Sequence, residues 1–154
     1  MRETAPGGTA VIQDSNPANK QRRSTITRIA LLMVGDALSF LLFAAVGRDT
    51  HHEVTGITAL NQTIWTAFPF ALGWFIVSPW LGAFTRKHTS TVRKMLIRTE
   101  IAWVCAWPLT LVLRWWLSSD HKVPLSFAIV ILLANALFLG LWRSAFAYIT
   151  RNRQ

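Results

Sequence analysis

The sequence predicts an all-α, polytopic membrane protein: an antiparallel four-transmembrane-helix bundle with a disordered N-terminal tail. Three observations carry this prediction. Hydrophobic residues make up 52% of the chain and charged residues only 15%, against roughly 25% charged in ordinary soluble domains. The apolar residues come in blocks about as long as a bilayer is thick, without the periodicity of a half-buried helix or strand. The net charge of +9 is gathered in short segments beside those blocks, where membrane proteins keep their topology determinants.

Residues 1–26 are polar and rich in Gly, Pro, Ser and Asn. They bury too little apolar surface to fold and read as a disordered cytoplasmic tail. Lys20, Arg22, Arg23 and Arg28 lead into the first predicted helix, 27–47. A cleavable signal sequence with Ala45-Val46-Gly47 as its site is the competing reading. The apolar run is longer than a signal core, contains Asp36 and is followed by further blocks, so a retained helix is expected. The second helix is placed at 62–84, in a stretch from Val54 to Thr85 with no Asp, Glu, Lys or Arg. Pro69 and Pro79 both fall inside it, as transmembrane helices tolerate.

The third helix, 95–117, needs an argument from length. Only Ile101 to Leu113 is free of charge, a stretch reaching about 20 Å where the hydrocarbon core needs about 30 Å. The helix therefore takes in Arg98, Glu100 and Arg114, with the arginine stems snorkelling to the interfaces. The fourth helix, 125–147, carries Asn135 near mid-depth and ends toward Arg143, Arg151 and Arg153. Residues 27–150 thus form one transmembrane domain. With four crossings, thirteen of the sixteen basic residues share a side with both termini; Arg48, Arg114 and Lys122 are on the other. The positive-inside rule places that basic side, and both termini, in the cytoplasm of a cell membrane.

Chemistry-bearing residues are few. Asp36 is an intramembrane carboxylate whose exposure to lipid would cost from roughly 3 to over 10 kcal/mol, so it is expected to face protein or water. Counting from the helix ends puts Asn135 at the same depth, and an Asp36–Asn135 contact is expected. That pair serves either as an interhelical hydrogen bond or as part of a proton or cation relay. At the outer face Arg48, His51, His52, Glu53, Arg114 and His121 form a candidate cluster. Its histidines are adjacent in a loop and lack the spacing of a metal site, and no metal is assigned. Arg98, Glu100 and Arg143 are read as inner-interface charges. Cys105, inside an apolar block, reads as a buried inert thiol. The tryptophans read as interfacial anchors and packing. Ala136, Gly140 and Ser144 make a small-residue stripe of the kind that lets backbones approach. No nucleotide, nucleophile-elbow or zinc-protease motif is present, and no cofactor is expected. A basic face on a soluble fold, which nucleic-acid binding needs, is missing too. The expected partners are the lipid bilayer, anionic head groups on the cytoplasmic side, and other membrane subunits or further copies of the chain.

Several motifs are found together: Gly35-Asp36, Gly47-Arg48-x-x-His51, Pro69-Phe70-x-x-x-Trp74, then Trp103, Pro108 and Arg114, and finally Trp142-Arg143. In combination the stretch from Arg28 to Ala147 resembles the bacterial domain of unknown function 3054 family of small four-helix integral membrane proteins. The resemblance implies the fold and a membrane location, and no activity. It draws attention to Asp36, Arg48, His51, Arg114 and Arg143. Two functions follow as expectations: a non-enzymatic accessory or assembly component of a membrane complex, or a small oligomeric transporter or channel subunit with Asp36 in a polar path. A weaker third is a membrane enzyme in which Arg48 and His51 converge at the outer loops.

Overall fold

The start of the first helix and both ends of the second follow proline and glycine chemistry more closely than they follow hydropathy. A computed structural model describes residues 17–49, 56–85, 91–118 and 121–151. Among them are four helices and no strand: α1 (Pro17–Asp49), α2 (Ile57–Val77), α3 (Val92–Leu117) and α4 (Leu125–Arg151). Helix α1 starts at Pro17, not at Thr27. Proline is well suited to a first helical position, where its missing N–H is not needed, and the Lys, Gln and Arg beyond it are good helix formers. Part of the expected disordered tail is therefore helix; residues 1–16 lie outside the described residues.

Helix α2 begins and ends earlier than 62–84. Gly56, at φ 86°, turns the chain into it. The two prolines act differently. Pro69 is accommodated within α2, whereas the helix stops before Pro79, whose ring opposes a further turn. The chain then folds through a tight segment held by Gly82 N–H donating to the Pro79 carbonyl and Ala83 N–H donating to the Ser78 carbonyl, both at 3.0 Å. Gly82 adopts φ 68° there, a conformation glycine takes without steric cost. Helix α4 runs past Ala147 to Arg151.

Among the described residues three segments are long and apolar enough to cross a membrane: Ala18–Gly47, Val92–Leu117 and Leu125–Thr150. Helix α2 is not one of them, since Asn61, Gln62 and Thr63 dilute its first turns.

The helices close a ring in which α1 packs on α2 and α4, and α3 packs on the same two. Contacting positions run in opposite senses along α3 and α4. Trp103 Nε1 donates to the Leu132 carbonyl and Trp107 Nε1 to the Ala128 carbonyl, each at 3.0 Å. The centre is filled by an aromatic triad, Phe40, Trp74 and Trp103, with ring centroids 5.5–6.4 Å apart. Ile131 and Leu139 complete this core from α4. A second cluster of Leu32, Met95, Phe146 and Ala147 lies toward the N-terminal end of α1.

Outward faces are also apolar: Leu31, Val34, Leu38 and Leu42 on α1, Ile97, Ile101 and Val104 on α3, Leu133, Leu137 and Leu141 on α4, all exposed. A chain dissolved in water rarely shows so continuous an apolar surface. Cys105 lies on that outer surface and is exposed, against the expected burial, because its register on α3 follows Ile101. Trp65, Trp115 and Trp116 are exposed toward one end of the bundle and Trp80 toward the other, as in interfacial aromatic belts.

Inside and outside should differ in their response to truncation. With lipid as apolar as the core, the loss at an interior site is mainly the cavity and its contacts. Ile131→Ala is expected to destabilise by about 1–3 kcal/mol, whereas the outward Leu133→Ala changes stability by less than about 0.5 kcal/mol. Reversible unfolding in mixed micelles, followed by tryptophan fluorescence, measures both.

Candidate functional site

The inward stripe of α1 reads Leu32, Asp36, Phe40, Phe43 and Ala44, an apolar helix face interrupted by one carboxylate. Opposite it, α4 presents Leu139, Arg143, Phe146 and Ala147, interrupted by one guanidinium. Neither Asp36 nor Arg143 has any exposed surface. Arg143 Nε donates to Asp36 Oδ1 at 2.9 Å and Nη2 donates to Oδ2, a bidentate fork that matches the two planar groups. Trp74 Nε1, from α2, donates to Oδ2 at 3.0 Å. The remaining arm of the guanidinium, Nη1, donates to the Ala83 carbonyl at 2.7 Å. The cation also lies 5.0 Å from the Trp74 ring centroid and 4.8 Å from that of Phe84, within cation–π range of both. The turn made by Pro79 thus delivers a backbone acceptor and an aromatic ring to the same arginine.

Glycine makes the approach possible. A Cβ at Gly35 would overlap the Trp142 indole at Cε2, Cζ2 and Nε1. Gly35-Asp36 on α1 therefore faces Trp142-Arg143 on α4 as one dipeptide against another. The ion pair sits between the two apolar clusters, Leu32 and Phe146 on one side and Phe40 and Trp74 on the other. A carboxylate so enclosed can hold charge and fix geometry; passing a proton on requires the surrounding side chains to separate first.

The structure revises two expectations. Asp36 does not meet Asn135: the Asn135 Nδ2 donates back to the Ile131 carbonyl at 3.1 Å, and its Oδ1 is buried with no partner among the described residues. Asn135 stands about 12 Å before Arg143 along α4, too far to share an acceptor with it. Arg143 is a buried counter-ion, not an interfacial charge. An arginine at the end of an apolar block is ordinarily an end marker, but α4 continues beyond it and its side chain turns inward. Trp74 and the Ala83 carbonyl were not expected at the site; Trp74 was legible only as part of the Pro69-Phe70-x-x-x-Trp74 pattern.

The other predicted residues are dispersed. His51, His52 and Glu53 lie outside the described residues, and so does the side chain of Arg48, the penultimate residue of α1. The Arg114 guanidinium packs 5.9 Å from the Phe127 ring. His121 Nδ1 donates to the Trp115 carbonyl at 3.0 Å. A groove at that end is lined by apolar side chains, among them Trp107, Leu111 and Trp115. Arg98 and Glu100 are half-buried on α3. Among the described residues no three His, Cys, Asp or Glu side chains are grouped to hold a metal.

A family profile described as "Protein of unknown function (DUF3054)" matches residues 33–146. The matched stretch includes both Gly35-Asp36 and Trp142-Arg143, and the chain belongs to this family. No curated protein and no solved structure matches it.

Breaking the pair should cost far more than removing it. Asp36→Leu or Arg143→Met alone leaves an uncompensated buried charge, and a loss of roughly 3–5 kcal/mol is expected for each. The double variant should recover most of that loss, giving a coupling energy that unfolding in mixed micelles measures directly. Gly35→Val, which drives a side chain into the Trp142 indole, should prevent α1 and α4 from closing and abolish the cooperative transition.

Proposed function

We propose, from the membrane-length helices and the enclosed ion pair, that the chain is a non-enzymatic integral membrane protein serving as an accessory or assembly component of a membrane complex. It acts as an antiparallel bundle in the cell membrane with both termini in the cytoplasm. The observation that carries this reading is the state of Asp36, which has no exposed surface and accepts bonds from Arg143 and Trp74. A carboxylate that moves ions must meet water or a permeating ion in at least one state. The alternative, a small oligomeric transporter or channel subunit, needs Asp36 on such a path.

Two features support a four-crossing arrangement. Helix α2 packs between α1 and α3 and spans about 32 Å by its length, and it exposes Leu60, Ile64, Phe68 and Ile76 outward. Lys20, Arg22, Arg23, Arg93 and Lys94 gather at the end where α1 and α3 begin, which favours the cytoplasmic face and its anionic head groups.

Purification of the full chain from its own membranes in mild detergent, followed by mass spectrometry, should yield a stoichiometric partner. A lone homo-oligomer would turn the reading toward transport. In liposomes, proton flux should be no greater with the protein than without it and unchanged by Asp36→Asn; Asp36-dependent flux would falsify the accessory role. Single cysteines placed before Pro17 and after Arg151 should both be labelled from the cytoplasmic side only.

A further inference from the structure

Within the three membrane-length segments the described acids are Asp36 and Glu100. Asp36 is matched by Arg143. Glu100 accepts no hydrogen bond, and no Lys, Arg or His nitrogen lies within ion-pair distance of it among the described residues. It stands about 12 Å into α3 from Val92. Its Oε1 rests against α4 at Gly140, where an added Cβ would lie 2.8 Å away. Around it on α3, Ile97, Ile101 and Val104 are exposed. On α4, Gly140 is buried beneath Glu100 and Leu96. A half-buried carboxylate therefore looks out of the α3–α4 seam among side chains that face acyl tails.

Such a group is costly to leave alone and is relieved by a cation from a neighbouring helix. We propose that the α3–α4 seam at Glu100 docks a transmembrane helix of another membrane protein that carries a lysine or arginine at matching depth. The proposal rests on the accessory reading and names the chemistry of its partner. A second copy of the chain fits poorly. Two-fold packing on this seam sets Glu100 against Glu100. Within the membrane-length segments Arg143 is engaged with Asp36, Arg98 in a contact of its own, and Arg28 and Arg114 lie over the Phe146 and Phe127 rings.

The test uses the full-length protein in phosphatidylcholine vesicles with a leucine-based transmembrane peptide bearing one lysine, read by energy transfer between labelled protein and labelled peptide. The lysine peptide should associate about tenfold more tightly than its glutamine counterpart, the scale of a good interhelical polar contact. Moving the lysine two turns along the peptide should abolish the preference. Glu100→Gln should lose it, and Glu100→Lys should prefer a glutamate peptide instead. That reversal keeps the result independent of any general loss of folding. Equal association of the lysine and glutamine peptides with the unaltered protein overturns the proposal. Glu100-dependent self-association in peptide-free vesicles overturns it as well, by assigning the seam to a second copy. Equal association leaves the accessory reading standing, since co-purification decides it; self-association through Glu100 counts against both, and a stoichiometric partner in native membranes then separates them.

Discussion

A charge inside a lipid-embedded fold has no solvent to turn to, so the protein must supply everything it needs. Asp36 and Arg143 satisfy that constraint with each other, with the Trp74 indole and with the Ala83 carbonyl. The requirement reaches well beyond two side chains. It asks α1 and α4 to approach closely, which Gly35 permits. It asks the chain after α2 to leave the helix at Pro79 and return, which places Ala83 and Phe84 against the guanidinium. Three helices and one turn are thus tied to a single point, with apolar packing above and below it. Buried pairs of this kind contribute little net stability against an apolar substitute, but they penalise every arrangement that separates them.

The architecture was legible because hydropathy blocks depend on composition alone. Four helices stand near the four apolar blocks, and the ends of α3 and α4 nearest their joining turn fall at Leu117 and Leu125 as expected. Boundaries set by local chemistry were less visible. Pro69 and Pro79 look alike in the sequence, yet one is carried inside α2 and the other ends it. A glycine distinguishes them: beyond Pro79, Gly82 provides the positive φ that lets the chain turn, whereas Gly73, beyond Pro69, remains helical.

The site was half legible. Asp36 is conspicuous because a lone carboxylate in an apolar run has few harmless explanations. Its partner was not found by counting depth, because counting assumes that helices begin and end where apolar blocks do. Helix α1 begins ten residues before its apolar block, at Pro17 in place of Thr27, and α4 continues to Arg151. That assumption puts Asn135 level with Asp36, and an arginine so near the end of an apolar block has the look of an end marker. The apolar residues on both sides of Arg143, Leu141-Trp142 and Ala145-Phe146, were the available warning.

The Gly35–Trp142 contact settles a question that charge attraction leaves open. Coulombic forces are long-ranged and tolerant of sliding, so an acid and a guanidinium would attract across several neighbouring alignments of α1 against α4. The indole occupies the notch at Gly35, where no side chain stands, and a shift of one turn either way sets it against Leu32 or Ser39 on the same buried face. The two helices are keyed like a shaft in a slot: electrostatics holds them together, while the notch alone dictates where they stop.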